Sequence, residues 1–192
     1  MGSWPGAVDS MITHWFARNR GAIFNALTTG LSNLGDTFTV IGVAIGAGTC
    51  SWLWRQVTVL AVGLVLELSV FLSTTYVVHR PRPDVDALDS VPATASFPSG
   101  HMAASVVLYG GLALIGSSLV SVRSVRRCLL VAAGLMALGV GVSRVYRGLH
   151  HPSDIVAGGA LGLACSAAAV LAAQFLPAGG WGAGGGPRPS RG

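Results

Sequence analysis

Three short stretches hold nearly all the reactive side chains of this 192-residue chain: residues 79–83 (HRPRP), 96–101 (SFPSGH) and 143–154 (SRVYRGLHHPSD). Arg82 and Arg144 offer rigid forks of donors that match phosphate oxygens. The PSGH turn leads into an apolar run, so Ser99, the Gly100 amide and a helix N-terminus add donors for an anion. His150 and Asp154 stand four residues apart, close enough for the carboxylate to accept from one ring nitrogen and leave the other as a nucleophile. His101 is then free to protonate a leaving oxygen. Phosphoryl transfer needs little beyond positioning and charge stabilisation, so this set calls for no metal and no cofactor.

These residues need a scaffold that brings them together, and composition says what kind. Hydrophobic residues make up 52% of the chain and charged ones 10%, with mean hydropathy +0.64, against about 25% charged in an ordinary soluble domain. All twelve bases are arginine, and the formal net charge is +5. The arginines sit singly or in small groups between apolar runs rather than in a basic stripe, which excludes nucleic acid as the expected partner. Cys50, Cys128 and Cys165 lie far apart in apolar runs and read as small core residues, neither a zinc site nor a disulfide framework.

A membrane-crossing helix needs about 20 apolar residues, and charges and prolines divide the chain into five candidates: residues 37–54, 56–78, 102–122, 128–143 and 155–176. The fourth is short, but a helix running on through Val145 and Tyr146 extends it. Residues 7–34 carry Asp9, Arg18 and Arg20 among Met11, Trp15, Phe16, Ile23, Phe24 and Leu27 at helical spacing, which predicts an amphipathic helix at the interface or an ordinary packing helix. Residues 1–176 are read as a single membrane-embedded domain. Residues 177–192, rich in Gly and Pro, are read as a disordered tail.

With five spans, Arg55, Arg123, Arg126, Arg127, Arg188 and Arg191 fall on one side, expected to be cytoplasmic. All three reactive stretches emerge on the other side. Gly110, Gly111, Gly134, Gly139, Gly141, Gly158, Gly159 and Gly162 suit close helix packing. Glu67, in mid-span, reads as a neutral or paired carboxyl holding helices together. Asp84, Asp86 and Asp89 read as a solvated loop, since the Gly and Glu spacing of a calcium loop is missing.

The order and spacing of the three stretches resemble the type 2 phosphatidic acid phosphatase superfamily, whose signature is K-x6-R-P, then P-S-G-H, then S-R-x5-H-x3-D. The second motif is complete at residues 98–101 and the third at Ser143-Arg144, His150 and Asp154; the first matches at Arg82-Pro83, while Thr75 stands at its lysine position. The likeness spans residues 75–159. It implies an all-α integral membrane bundle, here of about five transmembrane helices plus the N-terminal interfacial helix, where membrane members of the family commonly have six. It also implies that His150 attacks phosphorus to form a phosphohistidine, Asp154 orients it and His101 protonates the leaving group. Arg82, Ser99, Gly100 and Arg144 would hold the phosphoryl oxygens, with Arg80 or Thr75 as stand-ins for the lysine. The implied activity is hydrolysis of a lipid phosphate: phosphatidic acid, phosphatidylglycerophosphate, a polyprenyl diphosphate or a polyprenyl-linked sugar phosphate. A lipid phosphotransferase and a lapsed, lipid-binding protein are the alternatives. The Arg-, Ala- and Gly-rich composition suits a bacterial cell membrane, with the site on the extracytoplasmic side.

Overall fold

The computed structural model describes residues 6–48 and 54–175. Among these there are seven α-helices and no strand: α1 (Gly6–Arg18), α2 (Ala22–Leu34), α3 (Thr37–Gly48), α4 (Trp54–Val77), α5 (Gly100–Ser118), α6 (Arg123–Tyr146) and α7 (Pro152–Ala172), the last closing in a short 3-10 turn. The expected tail and Cys50 lie outside the described residues.

Helices α4 to α7 are long and apolar enough to cross a membrane; 24 residues of α4 extend about 36 Å, more than the roughly 30 Å hydrocarbon layer. The expected fourth span runs from Arg123 to Tyr146, its arginine-bearing start included. The first expected span, residues 37–54, is described only as far as Gly48, as the 12-residue α3, and residues 49–53 of it lie outside the described residues; among the described residues four helices have spanning length.

Helix α5 lies at the centre, packed against α4, α6 and α7, with Val107, Leu108, Leu60, Val40, Ile115 and Cys165 buried between the helices. Helix α7 can approach α5 closely because of its glycines. A Cβ on Gly158 would come within 2.4 Å of the Ser99 carbonyl oxygen, and one on Gly162 within 2.6 Å of that of Ala103. Gly110 and Gly134, expected at contacts too, face open space. Cys165 is buried as expected, whereas Cys128 is exposed on α6.

The single expected N-terminal helix is two helices. Arg20 donates to the Tyr146 carbonyl and Gly21 to the Tyr146 hydroxyl, and this anchor on α6 breaks the helix between α1 and α2. Both are amphipathic in an inverted sense. Asp9 and Thr13 of α1 and Thr28 and Ser32 of α2 are buried, while Met11, Trp15, Ile23, Phe24 and Leu27 are exposed. Such apolar outer faces suit lipid rather than water.

The chain direction gathers the chemistry. Arg55 at the start of α4 donates to the Ala173 carbonyl after α7, so those termini share one end of the bundle. The end of α4, the start of α5, the end of α6 and the start of α7 share the other. All three reactive stretches sit at that end.

Candidate active site

The loop between α6 and α7 is the part of the backbone that aims His150. Gly148 takes φ +77°, a left-handed turn that glycine adopts without steric cost, and Leu149 and His150 turn inward to full burial. The Nδ1 of His150 lies 2.8 Å from the Ser96 carbonyl oxygen. A carbonyl can only accept, so Nδ1 carries the proton and Nε2 keeps its lone pair when the ring is neutral. Burial pushes this imidazole below the ordinary histidine value; Arg82 and Arg144 add to that, with Asp154 acting against it. The ring is therefore neutral at pH 7.

Asp154 does not take the direct contact expected of it. Its Oδ2 is 3.8 Å from His150 Nδ1, outside hydrogen-bond range. The same oxygen accepts from the Ser96 hydroxyl at 2.6 Å and from the His151 amide at 2.8 Å, closing the first turn of α7. Oδ1 accepts from Arg80 at 2.6 Å. The carboxylate thus reaches His150 through Ser96, whose hydroxyl it holds and whose carbonyl receives the imidazole proton.

Arg80, a candidate stand-in for the lysine, is spent elsewhere. Its Nη1 also donates to Ser153 at 2.7 Å, and its Nη2 donates to Asp9 at 2.5 Å. Asp9 in turn accepts from both the amide and the hydroxyl of Ser153. Burial opposes the charge on Asp9, but the hydrogen bonds from Ser153 and Arg80 outweigh it and hold the carboxyl below its usual range. Thr75 donates to the Leu72 carbonyl of its own helix at 3.0 Å. Neither lines the cavity described next.

That cavity, about 410 Å³, is walled on one side by Arg82, Gly100, His101, Arg144 and His150 and on the other by apolar residues of α3 and α4, among them Val40, Leu64, Leu68 and Phe71. The structure therefore brings together five of the expected site residues. Ser99 is the exception among the phosphate donors: it is fully buried and its Oγ caps α5, accepting from the Met102 amide. Arg82 is held by the carbonyls of Leu149 (2.6 Å) and Thr94 (3.0 Å), and Arg144 by the Ser32 hydroxyl at 2.7 Å. The Nε atoms of both arginines are buried with no hydrogen-bond partner. Buried donors of this kind cost stability unless an acceptor reaches them.

A second, polar cavity of about 290 Å³ shares Asp36, Pro92, His101 and Arg144 with the first and is completed by Ser32, Asn33, Asp89 and Ser90. Asp89, expected in a solvated loop, is pinned by Arg147, whose hydrogen bond lowers its carboxyl below the ordinary range. Sequence reasoning missed Asp9, Ser96 and Ser32. The signal for Asp9 is present in the sequence: with Thr13 it forms a polar pair four apart on a helix that also carries Met11, Ile12, Trp15 and Phe16.

Comparison with known proteins agrees with this arrangement. The PAP2 superfamily model matches residues 52–177. Phosphatidylglycerophosphatase B of Bacillus subtilis is 28% identical over 145 residues, which are 72% of this chain and 70% of that protein. The fold is shared with the crystal structure of the transmembrane PAP2-type phosphatidylglycerolphosphate phosphatase from Bacillus subtilis, at TM-score 0.82 and 22% identity over 90% of this chain and 87% of that one. Aquifex aeolicus LpxE follows at TM-score 0.69 and 22% identity, over 84% of this chain and 93% of its own. With the family model covering well over half of its length, and with spanning helices that carry the motif residues to one cavity, the chain belongs to the PAP2 superfamily and is an integral membrane phosphatase.

Proposed function

We propose that the chain hydrolyses a lipid phosphate through a phosphohistidine on His150. The observation that carries this reading is that Arg82 and Arg144, whose Nε atoms have no hydrogen-bond partner, line the same cavity as His150, whose proton is held on Nδ1. Two fixed cations and the Gly100 end of α5 suit a tetrahedral dianion, and their charge repels a divalent cation from the same wall. Most of the cavity lining is apolar, so the substrate's hydrocarbon lies along α3 and α4 while its phosphate meets the arginines.

In the first step Nε2 of His150 forms a bond to phosphorus, the P–O bond to the lipid breaks, and His101 gives its proton to the departing oxygen. Arg82 and Arg144 stabilise the charge on the equatorial oxygens. In the second step water adds to phosphorus, its proton returns to His101, and the N–P bond breaks to release inorganic phosphate. The polar cavity, which shares His101 and Arg144, offers water a route that does not cross the hydrocarbon side. Asp154 is a positioning residue, acting through Ser96.

The arginines at the far end, Arg55, Arg123, Arg126 and Arg127, support a reading in which that end faces the cytoplasm, by the positive-inside rule, and the site faces the extracytoplasmic side. The relatives' names make phosphatidylglycerophosphate a natural first substrate to try. The test is phosphate release by the detergent-purified protein from the four lipid classes, with and without EDTA. Release that survives EDTA and vanishes in His150→Ala supports the proposal; release abolished by EDTA, or retained in His150→Ala, overturns it.

A further inference from the structure

The apolar wall of the catalytic cavity carries one group that the hydrolysis does not use. Glu67, on α4, is 4% exposed and lines this cavity but not the polar one. Its Oε1 has no hydrogen-bond partner. A carboxyl that tied helices together would be bonded across to its neighbour, and this one is not. Asp36, the other acid on the cavity, lines both cavities beside Arg144 and so belongs to the polar end. Glu67 stands apart, among Leu64, Leu68 and Phe71, with the buried Cys165 of α7 near it.

Its depth is informative. The Phe71 ring lies against Gly100, within 3.0 Å of where a Cβ would be, so Phe71 marks the level of the phosphate-holding end of α5. Glu67 is one helical turn further into the bundle, about 6 Å along the axis. A lipid seated with its phosphate at Arg82 and Arg144 passes Glu67 a few bonds below phosphorus. A bare carboxyl oxygen buried among hydrocarbon is costly unless the ligand supplies a hydrogen-bonding group there.

Building on the lipid phosphatase reading above, we propose that Glu67 is a specificity-determining residue that hydrogen-bonds an oxygen of the substrate just below the phosphate, and that the enzyme therefore selects glycerophospholipid monoesters. In a glycerolipid an ester carbonyl, to which the protonated carboxyl donates, or a free glycerol hydroxyl, from which it accepts, falls at this depth. In a polyprenyl phosphate the chain there is hydrocarbon, and the carboxyl stays unsatisfied. Discrimination arises because the polar group of the site is left unpaired by the wrong substrate.

The experiment compares kcat/KM for phosphatidic acid, lysophosphatidic acid and a polyprenyl monophosphate in the same mixed micelles, for the wild type, Glu67→Gln and Glu67→Leu. Because the readout is a ratio within one preparation, partial unfolding scales both rates and cancels. The wild type is expected to favour the glycerolipids at least tenfold. Glu67→Leu is expected to lower that ratio tenfold or more, and Glu67→Gln, which keeps the hydrogen bond, to stay within about threefold of wild type. Equal loss with phosphatidic and lysophosphatidic acid assigns the contact to an ester carbonyl; a loss confined to lysophosphatidic acid assigns it to the free hydroxyl. An unchanged ratio in Glu67→Leu, or a Gln variant that falls as far as Leu, overturns the proposal. A wild type that releases phosphate from none of these lipids overturns the phosphatase reading itself.

Discussion

Two pairs of arginines stand around the same site and differ in one respect. Arg80 and Arg147 are saturated: Arg80 binds Asp9, Ser153 and Asp154, and Arg147 binds both oxygens of Asp89, the Leu88 and Asn25 carbonyls, and Thr28 and Thr29. Arg82 and Arg144 are held at their tips by neutral oxygens, and their Nε atoms find no partner; the Asp89 carboxylate is 3.7 Å from Arg144, and Asp36 lines the same two cavities as Arg144. Each pair lies within two or three residues of the other along the chain. The lesson is that placement near a site does not make an arginine a ligand. What its donors already hold decides that, and a guanidinium kept in position by neutral acceptors retains its charge for an anion.

The largest effect expected from this contrast is in turnover. Arg144→Ala or Arg82→Ala removes a charged donor to the phosphoryl oxygens, and kcat/KM is expected to fall by about 10²- to 10³-fold, the usual loss for such donors. Arg147→Ala, by contrast, is expected to act mainly on the melting temperature. Similar losses of turnover in all three would erase the distinction between the pairs.

A smaller effect is expected at Asp9. Asp9→Asn keeps the shape but removes the charge facing Arg80, at a cost of about 1–3 kcal/mol for a buried hydrogen bond to a charged group. The melting temperature should drop while kcat changes less than tenfold, because Asp154 keeps Ser96, His151 and Arg80. Thermal unfolding beside steady-state rates measures both. A kcat loss as deep as that of Arg144→Ala would move Asp9 into the catalytic set.

The pH profile separates the groups further. His150 titrates below its ordinary value of 6.5, so the neutral nucleophile persists as pH falls past 6.5 and is lost only on the more acidic side. The acid limb of kcat/KM should therefore have its midpoint below pH 6.5. The same shift has a stability consequence: the unfolded chain binds the proton first, so this contribution is complete above pH 6.5 and is lost as pH falls toward the folded value. A midpoint above 6.5 would show a histidine held charged, the opposite of what its burial implies.

The smallest effect is expected at Thr75. Restoring the family lysine with Thr75→Lys should alter kcat/KM less than threefold, since the position does not line the cavity and the phosphate wall already has two arginines. A gain of tenfold or more would mean that the wall lacks a cation.

Much of this was legible in the sequence because the motif residues are local. Pro-Ser-Gly-His and the Ser-Arg to His-Asp spacing place side chains at helix ends whatever the rest of the chain does, and the spans between them decide which end. Arg82 and Arg144 could be picked from their neighbours only through that pattern. What escaped is tertiary. The Asp9 partner of Arg80 is 71 positions away, Ser32 reaches Arg144 across 112, and both depend on how the inverted faces of α1 and α2 dock on α6 and α7. The His150–Asp154 spacing suggested a direct bond, but the left-handed turn at Gly148 and the first turn of α7 set the two side chains 3.8 Å apart, with Ser96 between them. Glu67 was visible as an acid in an apolar run, yet only the cavity shows what it faces.

The most direct test of the central claim is rapid acid-free quenching of turnover with lipid labelled at the phosphate, followed by mapping of the label on the protein. The account predicts an acid-labile, base-stable phosphate on His150 that is absent in His150→Ala and accumulates when the second step is slowed. Label on any other residue, or wild-type turnover with no labelled protein while His150→Ala stays active, would contradict it.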